Sequence, residues 1–407
     1  MADHRTFVSV GAGLAGAKAA ETLRHEGFTG RIMLIGAEPQ LPYERPPLSK
    51  GLLLGTHEPD SVFVHEPDWY TANSVELRTG ATVTGIDRGK RTAQIKGGEE
   101  VRYDRLLLAT GSSPRRLPVH GAERGGVLQL RTLADAQRIM AKVGGGTRLV
   151  IVGAGWIGLE VAAAARARGA VVTVVEAAAL PLRRVLGDTI ATVFADLHRE
   201  HGVGFHFGAQ VREITPSHVL LGDGTALEAD VVLAAVGVTP NTAIAEQAGL
   251  RVDNGILVDH QLRTDDPDVF AAGDVANVDH PLLRARIRVE HWSNVLHTGP
   301  AAARAMLGQD VTYDRLPYFF TDQYDLGMEY TGWVPPAATA DLIVRGDLHR
   351  REFVAFWLVD GRIAAGMNVN VWDVAEPIED LVRAGLAGAV VDPARLADPD
   401  VPLAAVR

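Results

Sequence analysis

The sequence predicts an α/β chain: two parallel-sheet units of one kind, then a smaller α+β domain. Three observations predict it. A strand, glycine turn and helix occur in immediate succession twice, with Gly11 and Gly153 142 residues apart. Buried-type apolar runs that open into glycine recur after each of these turns. From about Leu316 that texture gives way to alternating strands with turn signals.

The first unit begins in "TFVSVGAGLAGAKAAETLRHEG". A strand over Thr6 to Val10 runs into Gly11-x-Gly13-x-x-Gly16, and an Ala-rich helix ends near Gly27. "RIMLIGAE" then reads as a second strand closed by Glu38. "LPYERPPLSKG", Leu41 to Gly51, holds three prolines and is expected to be an extended run that aims Arg45 and Lys50 inward. "YDRLLLATGSSPR" is a buried strand opening at Ala109-Thr110-Gly111. Lys142 to Arg148 reads as a linker.

The second unit repeats the pattern. A strand ends at Val152, Gly153-x-Gly155-x-x-Gly158 follows, then a helix, then a strand from Val171 that closes at Glu176. "ADVVLAAVGVTPN" opens at Val236-Gly237, and "VFAAGDVAN" ends in Gly273-Asp274. In the last domain, Arg345-Gly346-Asp347 and Asp360-Gly361 mark turns. The expected domains are residues 1–114 with 240–315, residues 115–239, and residues 316–407.

Composition bounds the chemistry. The chain has 407 residues, 47% hydrophobic and 22% charged, which suits a globular protein with sizeable cores. Its formal charge of −10 argues against nucleic acid as a partner. It has no cysteine, so no disulfide framework, Cys-ligated metal or redox dithiol resides in it. "MADHRTFVSVGAG" shows no basic region followed by an apolar run, and no stretch reaches ~18 apolar residues. The expected location is the cytoplasm, with no membrane partner.

Each glycine turn sits between a strand and a helix, with an acid about 20 residues beyond. That context is the dinucleotide fingerprint of a Rossmann-like unit. The glycines let backbone approach a pyrophosphate, and the helix N-terminus supplies N–H groups and partial positive charge. Glu38 and Glu176 would accept hydrogen bonds from ribose hydroxyls. An acid at Glu176 also repels a 2′-phosphate, which favours NADH over NADPH. Arg183 and Arg184 lie close behind, either as phosphate contacts or as solvated helix charges.

Both fingerprints, "PYERPPLSK", "LRTLADA", "AAGDVAN", "VEHWSN" and "FFTDQYDLGMEYTGW" resemble one family along nearly the whole chain. It is that of the FAD-dependent ferredoxin and rubredoxin reductases of oxygenase systems, the putidaredoxin-reductase type, with apoptosis-inducing factor as a distant relative. The resemblance implies a glutathione-reductase-like flavoprotein fold with a C-terminal α+β domain. It implies FAD contacts at Gly11, Gly13, Ala15, Gly16, Glu38, Arg45, Lys50, Val83, Ala109, Arg131, Asp274 and Trp292. It implies NAD contacts at Gly153, Gly155, Ile157, Gly158, Glu160, Glu176 and Gly237.

A flavin that accepts hydride gains negative charge, and Lys50 is the candidate cation to balance it. A buried lysine needs a partner to keep its proton. The resemblance offers Glu160, so a Lys50–Glu160 pair is expected, the alternative being a Lys50 that reaches solvent. Without cysteine, electrons must leave directly to an external acceptor, for which a [2Fe–2S] ferredoxin or a rubredoxin fits. Arg284, Arg286 and Arg288 recur at period two before Trp292, either as a basic docking face or as an ordinary solvated strand. His198, His201 and His206 match no zinc spacing and are expected at the surface. The rival functions are a reductase of small acceptors and a non-enzymatic, redox-signalling flavoprotein.

Overall fold

The computed structural model describes residues 3–124 and 126–406. The chain divides into two compact units. One comprises the chain up to Glu44, Val62–Ser113 and Thr239–Phe319; the other comprises Arg45–Ser61, Pro114–Val238 and the chain from Phe320 onward. The expected α/β architecture is present in both.

The first unit is built on a five-stranded parallel sheet. Its order is Val269–Ala271, Arg105–Leu108, Thr6–Val10, Arg31–Ile35, Val75–Arg78. Four of the five residues in Thr6–Val10 are buried, and Arg31–Ile35 repeats that pattern. Strands apolar on both faces belong inside a parallel sheet covered by helices. The helices Leu14–His25 and Trp292–Met306 pack together, and a side chain at Gly299 would meet the Ala15 carbonyl oxygen at 2.5 Å. An antiparallel three-stranded sheet, Val83–Asp87, Thr92–Ile95 and Glu100–Arg102, completes the motif.

The second unit repeats this plan. Its parallel sheet runs Gly204–Phe207, Val171–Glu176, Arg148–Val152, Val231–Ala234, Val127–Leu128. Its antiparallel companion is Val211–Ile214, His218–Leu221 and Ala226–Glu228. One difference is topological. The fifth strand precedes the glycine turn in the chain here, whereas in the first unit it follows. Residues 142–148 form a short loop between the helix Leu133–Lys142 and the strand Arg148–Val152.

The C-terminal sheet has the order Tyr318–Gln323, Leu326–Gly332, Arg362–Val369, Glu352–Val359, Asp341–Asp347. The helix Ala375–Leu386 lies on it, close enough that a side chain at Gly385 would strike the Ile363 carbonyl oxygen at 2.3 Å. Among the described residues, no helix is long and apolar enough to cross a membrane.

The proline segment differs from expectation. It forms two single helical turns, Pro46–Ser49 and Gly51–Leu54, not an extended run. Proline suits the first helical positions, because their N–H groups lack intrahelical acceptors anyway. Leu48, Ser49, Gly51, Leu52 and Leu53 are buried against the helices Trp156–Ala167 and Leu133–Lys142. Lys50 is the hinge between the turns, at φ −117° and ψ −109°.

Candidate functional site

Each parallel sheet ends in the same glycine cradle. In the first unit, a Cβ at Gly11 would lie 2.1 Å from the Ala109 carbonyl oxygen, and one at Gly16 would lie 2.2 Å from the Gly11 carbonyl oxygen. Those two glycines are demanded by the packing of strand, turn and helix. A Cβ at Gly13 meets nothing within 4 Å. The second unit matches this point by point. Gly153 would strike the Ala235 carbonyl oxygen at 2.4 Å, Gly158 the Gly153 carbonyl oxygen at 2.2 Å, and Gly155 nothing within 4 Å.

So the middle glycine of each turn answers to open space, not to protein. It also serves as N-cap of its helix, Leu14–His25 or Trp156–Ala167, and neither helix has an acid in its first turn. The first-turn N–H groups and the positive end of the dipole therefore face that space uncancelled. A dinucleotide pyrophosphate fits this donor set, and the Cβ-free face gives it room.

The acids flank the turns. Tyr43 donates to Glu38 at 2.5 Å. Glu176 accepts from the Ala154 N–H at 2.7 Å and from the Ala178 N–H at 2.8 Å, which fixes its carboxylate beside the second turn. Arg183 is paired with Asp188. Arg184 is exposed.

Ala15, Val83, Asp274 and Trp292, implied as flavin contacts by the resemblance, all belong to the first unit. Ala15 lies in the first turn of its helix, and a side chain at Gly273 would touch it at 3.5 Å. Asp274 is buried just beyond that glycine. Trp292 opens the helix Trp292–Met306. His291 stacks on Phe319 with ring centroids 4.5 Å apart. Val83 starts the antiparallel sheet and is buried.

In the second unit, Ile157 is exposed in the first turn of its helix, and Gly237 has open space at its Cβ position with φ +90°. Arg131 precedes the helix Leu133–Lys142, whose start is fixed by a Thr132–Asp135 capping box, and its carbonyl accepts from the Arg45 guanidinium.

Lys50 and Glu160 meet. The ammonium donates to Oε1 of Glu160 at 2.7 Å, with the side chains only 16% and 4% exposed. Two hydroxyls share the carboxylate: Thr321 donates to Oε1 at 2.6 Å and Ser49 donates to Oε2. Packing of the proline turns onto the helix Trp156–Ala167 brings Ser49 and Lys50 to Glu160. Lys50 also lies 5.1 Å from the centre of the Phe320 ring. Loss of solvent raises the carboxyl of neighbouring Asp322 above its ordinary value, although part of its surface is exposed; Lys50 opposes that shift and Glu160 reinforces it. A buried anion with one cation and two hydroxyl donors has both oxygens hydrogen-bonded and its charge paired, which makes burial tolerable.

One open alternative narrows and one expectation fails. Arg284 and Arg286 are exposed, but Arg288 does not join them on one basic face. The Arg288 side chain is 8% exposed, pairs with Glu290 and donates to the Asp274 carbonyl at 3.1 Å. Arg286 donates to the carbonyls of Val258 and Asn277 at 3.1 and 3.3 Å. The strand ends at Ile287, so the period-two argument stops before Arg288. His198, expected at the surface, is fully buried, and burial lowers its pKa to about 4 against an opposing hydrogen bond to Gln323. Ser49, Thr321 and Gln323 carry no functional signal of their own in the sequence, although Ser49 stands beside Lys50 in "PPLSK".

Comparison with known proteins agrees with this geometry. The family model described as pyridine nucleotide-disulphide oxidoreductase matches residues 5–303, and that described as reductase C-terminal matches residues 318–407. The chain is 40% identical to the ferredoxin–NAD(+) reductase component of the anthranilate 1,2-dioxygenase system of Burkholderia cepacia, over 98% of each chain. It is 36% identical to putidaredoxin reductase of Pseudomonas putida, over 97% of this chain and 95% of that one. Among solved structures, the covalent putidaredoxin reductase–putidaredoxin complex superposes with a TM-score of 0.93 at 35% identity, covering 99% of this chain and 98% of that one.

Proposed function

The chain belongs to the pyridine nucleotide-disulphide oxidoreductase family, and from that membership we propose that it is an FAD-dependent NADH:ferredoxin oxidoreductase. Its acceptor is a [2Fe–2S] ferredoxin or a rubredoxin that feeds a cytochrome P450 or Rieske-type oxygenase. FAD supplies the conversion of one hydride into two single electrons, so NADH and two oxidised ferredoxins give NAD+, one proton and two reduced ferredoxins.

One observation carries the reading: two open pyrophosphate cradles occur in a chain without cysteine. Two cradles call for two dinucleotides. The missing cysteines close the disulfide route that the family's name describes, so an external acceptor must take the electrons.

The residues have distinct tasks. Gly11, Gly13, Ala15, Gly16 and Glu38, with Val83, Ala109, Asp274 and Trp292, hold FAD, and Arg45 and Arg131 add cationic contacts to it. Gly153, Gly155, Ile157, Gly158, Glu176 and Gly237 hold the nicotinamide dinucleotide. Residues 1–114 with 240–315 then form the FAD domain and 115–239 the NAD domain, ahead of the C-terminal domain 316–407. Lys50 provides positive charge where negative charge develops, and Glu160 keeps that lysine charged and placed. The fixed Glu176 carboxylate favours NADH, since a 2′-phosphate would meet a like charge, and Asp188 already engages Arg183. A cytoplasmic location fits this need for NADH.

The test is anaerobic turnover of the purified holoprotein with NADH or NADPH and a panel of ferredoxins, rubredoxins and quinones. The reading expects fast ferredoxin reduction with NADH preferred. Turnover of quinones alone would put the small-acceptor function in its place.

A further inference from the structure

Behind the Lys50–Glu160 pair lies a row of buried polar groups. Thr321 and Gln323 are two residues apart on one strand and share its buried face. The Gln323 amide nitrogen donates to Thr321 Oγ1 at 3.1 Å. His198 Nε2 lies 2.8 Å from Gln323 Oε1, and the Tyr324 hydroxyl lies 3.4 Å from His198 Nδ1. Thr321, Gln323 and His198 are all essentially inaccessible to solvent.

The carboxylate at one end dictates every proton in the row. An ionised carboxylate only accepts, so the Thr321 hydroxyl donates to it. That hydroxyl must then accept from Gln323, which turns the amide nitrogen toward Thr321 and the amide oxygen toward His198. His198 must donate from Nε2. Burial keeps the imidazole neutral, so Nδ1 carries no proton and accepts from Tyr324. Every dipole thus points its positive end toward Glu160, and bonds aligned this way strengthen one another in a dry interior.

We infer that Thr321, Gln323 and His198 are positioning residues that hold the plane of the Glu160 carboxylate so that Oε1 meets Lys50. Ser49 fixes Oε2 and Thr321 fixes Oε1, and the row behind Thr321 leaves its hydroxyl no other orientation. The inference rests on the proposed role of Lys50 and Glu160 only for its functional consequence. The geometric claim stands apart from it.

The test reads Lys50 directly. The holoprotein is treated with a limiting amine-reactive reagent, and modification at each lysine is followed by peptide mass spectrometry. Lys18, Lys90, Lys96 and Lys142 serve as internal controls. Loss of one hydrogen bond to the carboxylate in Thr321→Val is expected to raise the Lys50 labelling rate about fivefold. Thr321→Ser should restore the wild-type rate, and Gln323→Leu should raise it by a smaller factor. Controls should not change, and Glu160→Gln should abolish any further effect of Thr321→Val. An unchanged or slower Lys50 rate in Thr321→Val, or equal acceleration at all five lysines, overturns the inference. Rapid-mixing measurement of flavin reduction on the same variants separates the two ideas. Faster Lys50 labelling with unchanged reduction leaves the positioning row standing and removes the catalytic role of the pair.

Discussion

Replacing Gly155 by alanine should leave the fold intact and spoil nicotinamide binding. The backbone at Gly155 has φ −79° and ψ −178°, which alanine adopts without strain, and an added Cβ meets no protein atom within 4 Å. Alanine gains about 0.4–1 kcal/mol by restricting the unfolded chain. It loses up to about 1 kcal/mol as a poorer N-cap. These nearly cancel, so the melting temperature should move by no more than about 4 °C. The methyl group instead occupies the face offered to the pyrophosphate. Pushing a phosphate away from one backbone donor costs about 1.5–3 kcal/mol, a charge-assisted hydrogen bond. The Kd for NAD+ or an unreactive analogue should therefore rise by about one to two powers of ten, with FAD content unchanged. Titration of the oxidised protein with NAD+ or a non-reducing analogue, beside the visible flavin spectrum, gives both numbers. An unaltered affinity in a folded Gly155→Ala protein would refute the claim that this glycine faces the nucleotide.

The first turn gives the mirror experiment: Gly13→Ala should fold but purify with little FAD, measured as the ratio of flavin to protein absorbance. Gly11→Ala should fail to accumulate as folded protein, because its Cβ would sit 2.1 Å from the Ala109 carbonyl oxygen at φ +118°. His198 predicts a pH dependence of stability. Its folded pKa of about 4 lies below the unfolded value of 6.5, so between them the unfolded chain binds the extra proton. Stability is whole above about pH 6.5 and falls as pH drops toward 4, by about 1.4 kcal/mol per pH unit from this group. Melting curves of wild type and His198→Asn between pH 7 and pH 4.5 should show a shallower decline for the variant, and parallel curves would contradict the assignment.

The architecture was legible because it repeats. Two strand–glycine–helix runs and their closing acids define two parallel sheets by local pattern alone. The site was legible in part. Gly13 and Gly155 are named by spacing, Lys50 by the need for a cation beside a flavin that gains charge, and Glu160 only by the family resemblance. What stayed hidden depends on packing between segments distant in sequence. The proline turns read as extended because Pro46 and Pro47 restrict φ equally well for either conformation; burial of Leu48 and Leu52 against a later helix decides for the helical turn. Thr321, Gln323 and His198 carry no motif of their own, and only the contact of one strand with the helix Arg183–Glu200 makes them a row. Period two did not carry across the three arginines because Arg284 and Arg288 both lie just outside the three-residue strand Ala285–Ile287.

Lys50, held by Glu160, is proposed to serve hydride transfer. Its most direct test is the rate constant of flavin reduction by NADH in Lys50→Met, measured anaerobically by rapid mixing in protein that retains its FAD. Methionine keeps the length of the stem and removes the charge. Loss of one charge-stabilising group predicts a rate lowered by roughly a hundredfold, with NADH affinity nearly unchanged. A wild-type rate in a flavin-loaded Lys50→Met protein would show that this lysine has no part in the transfer.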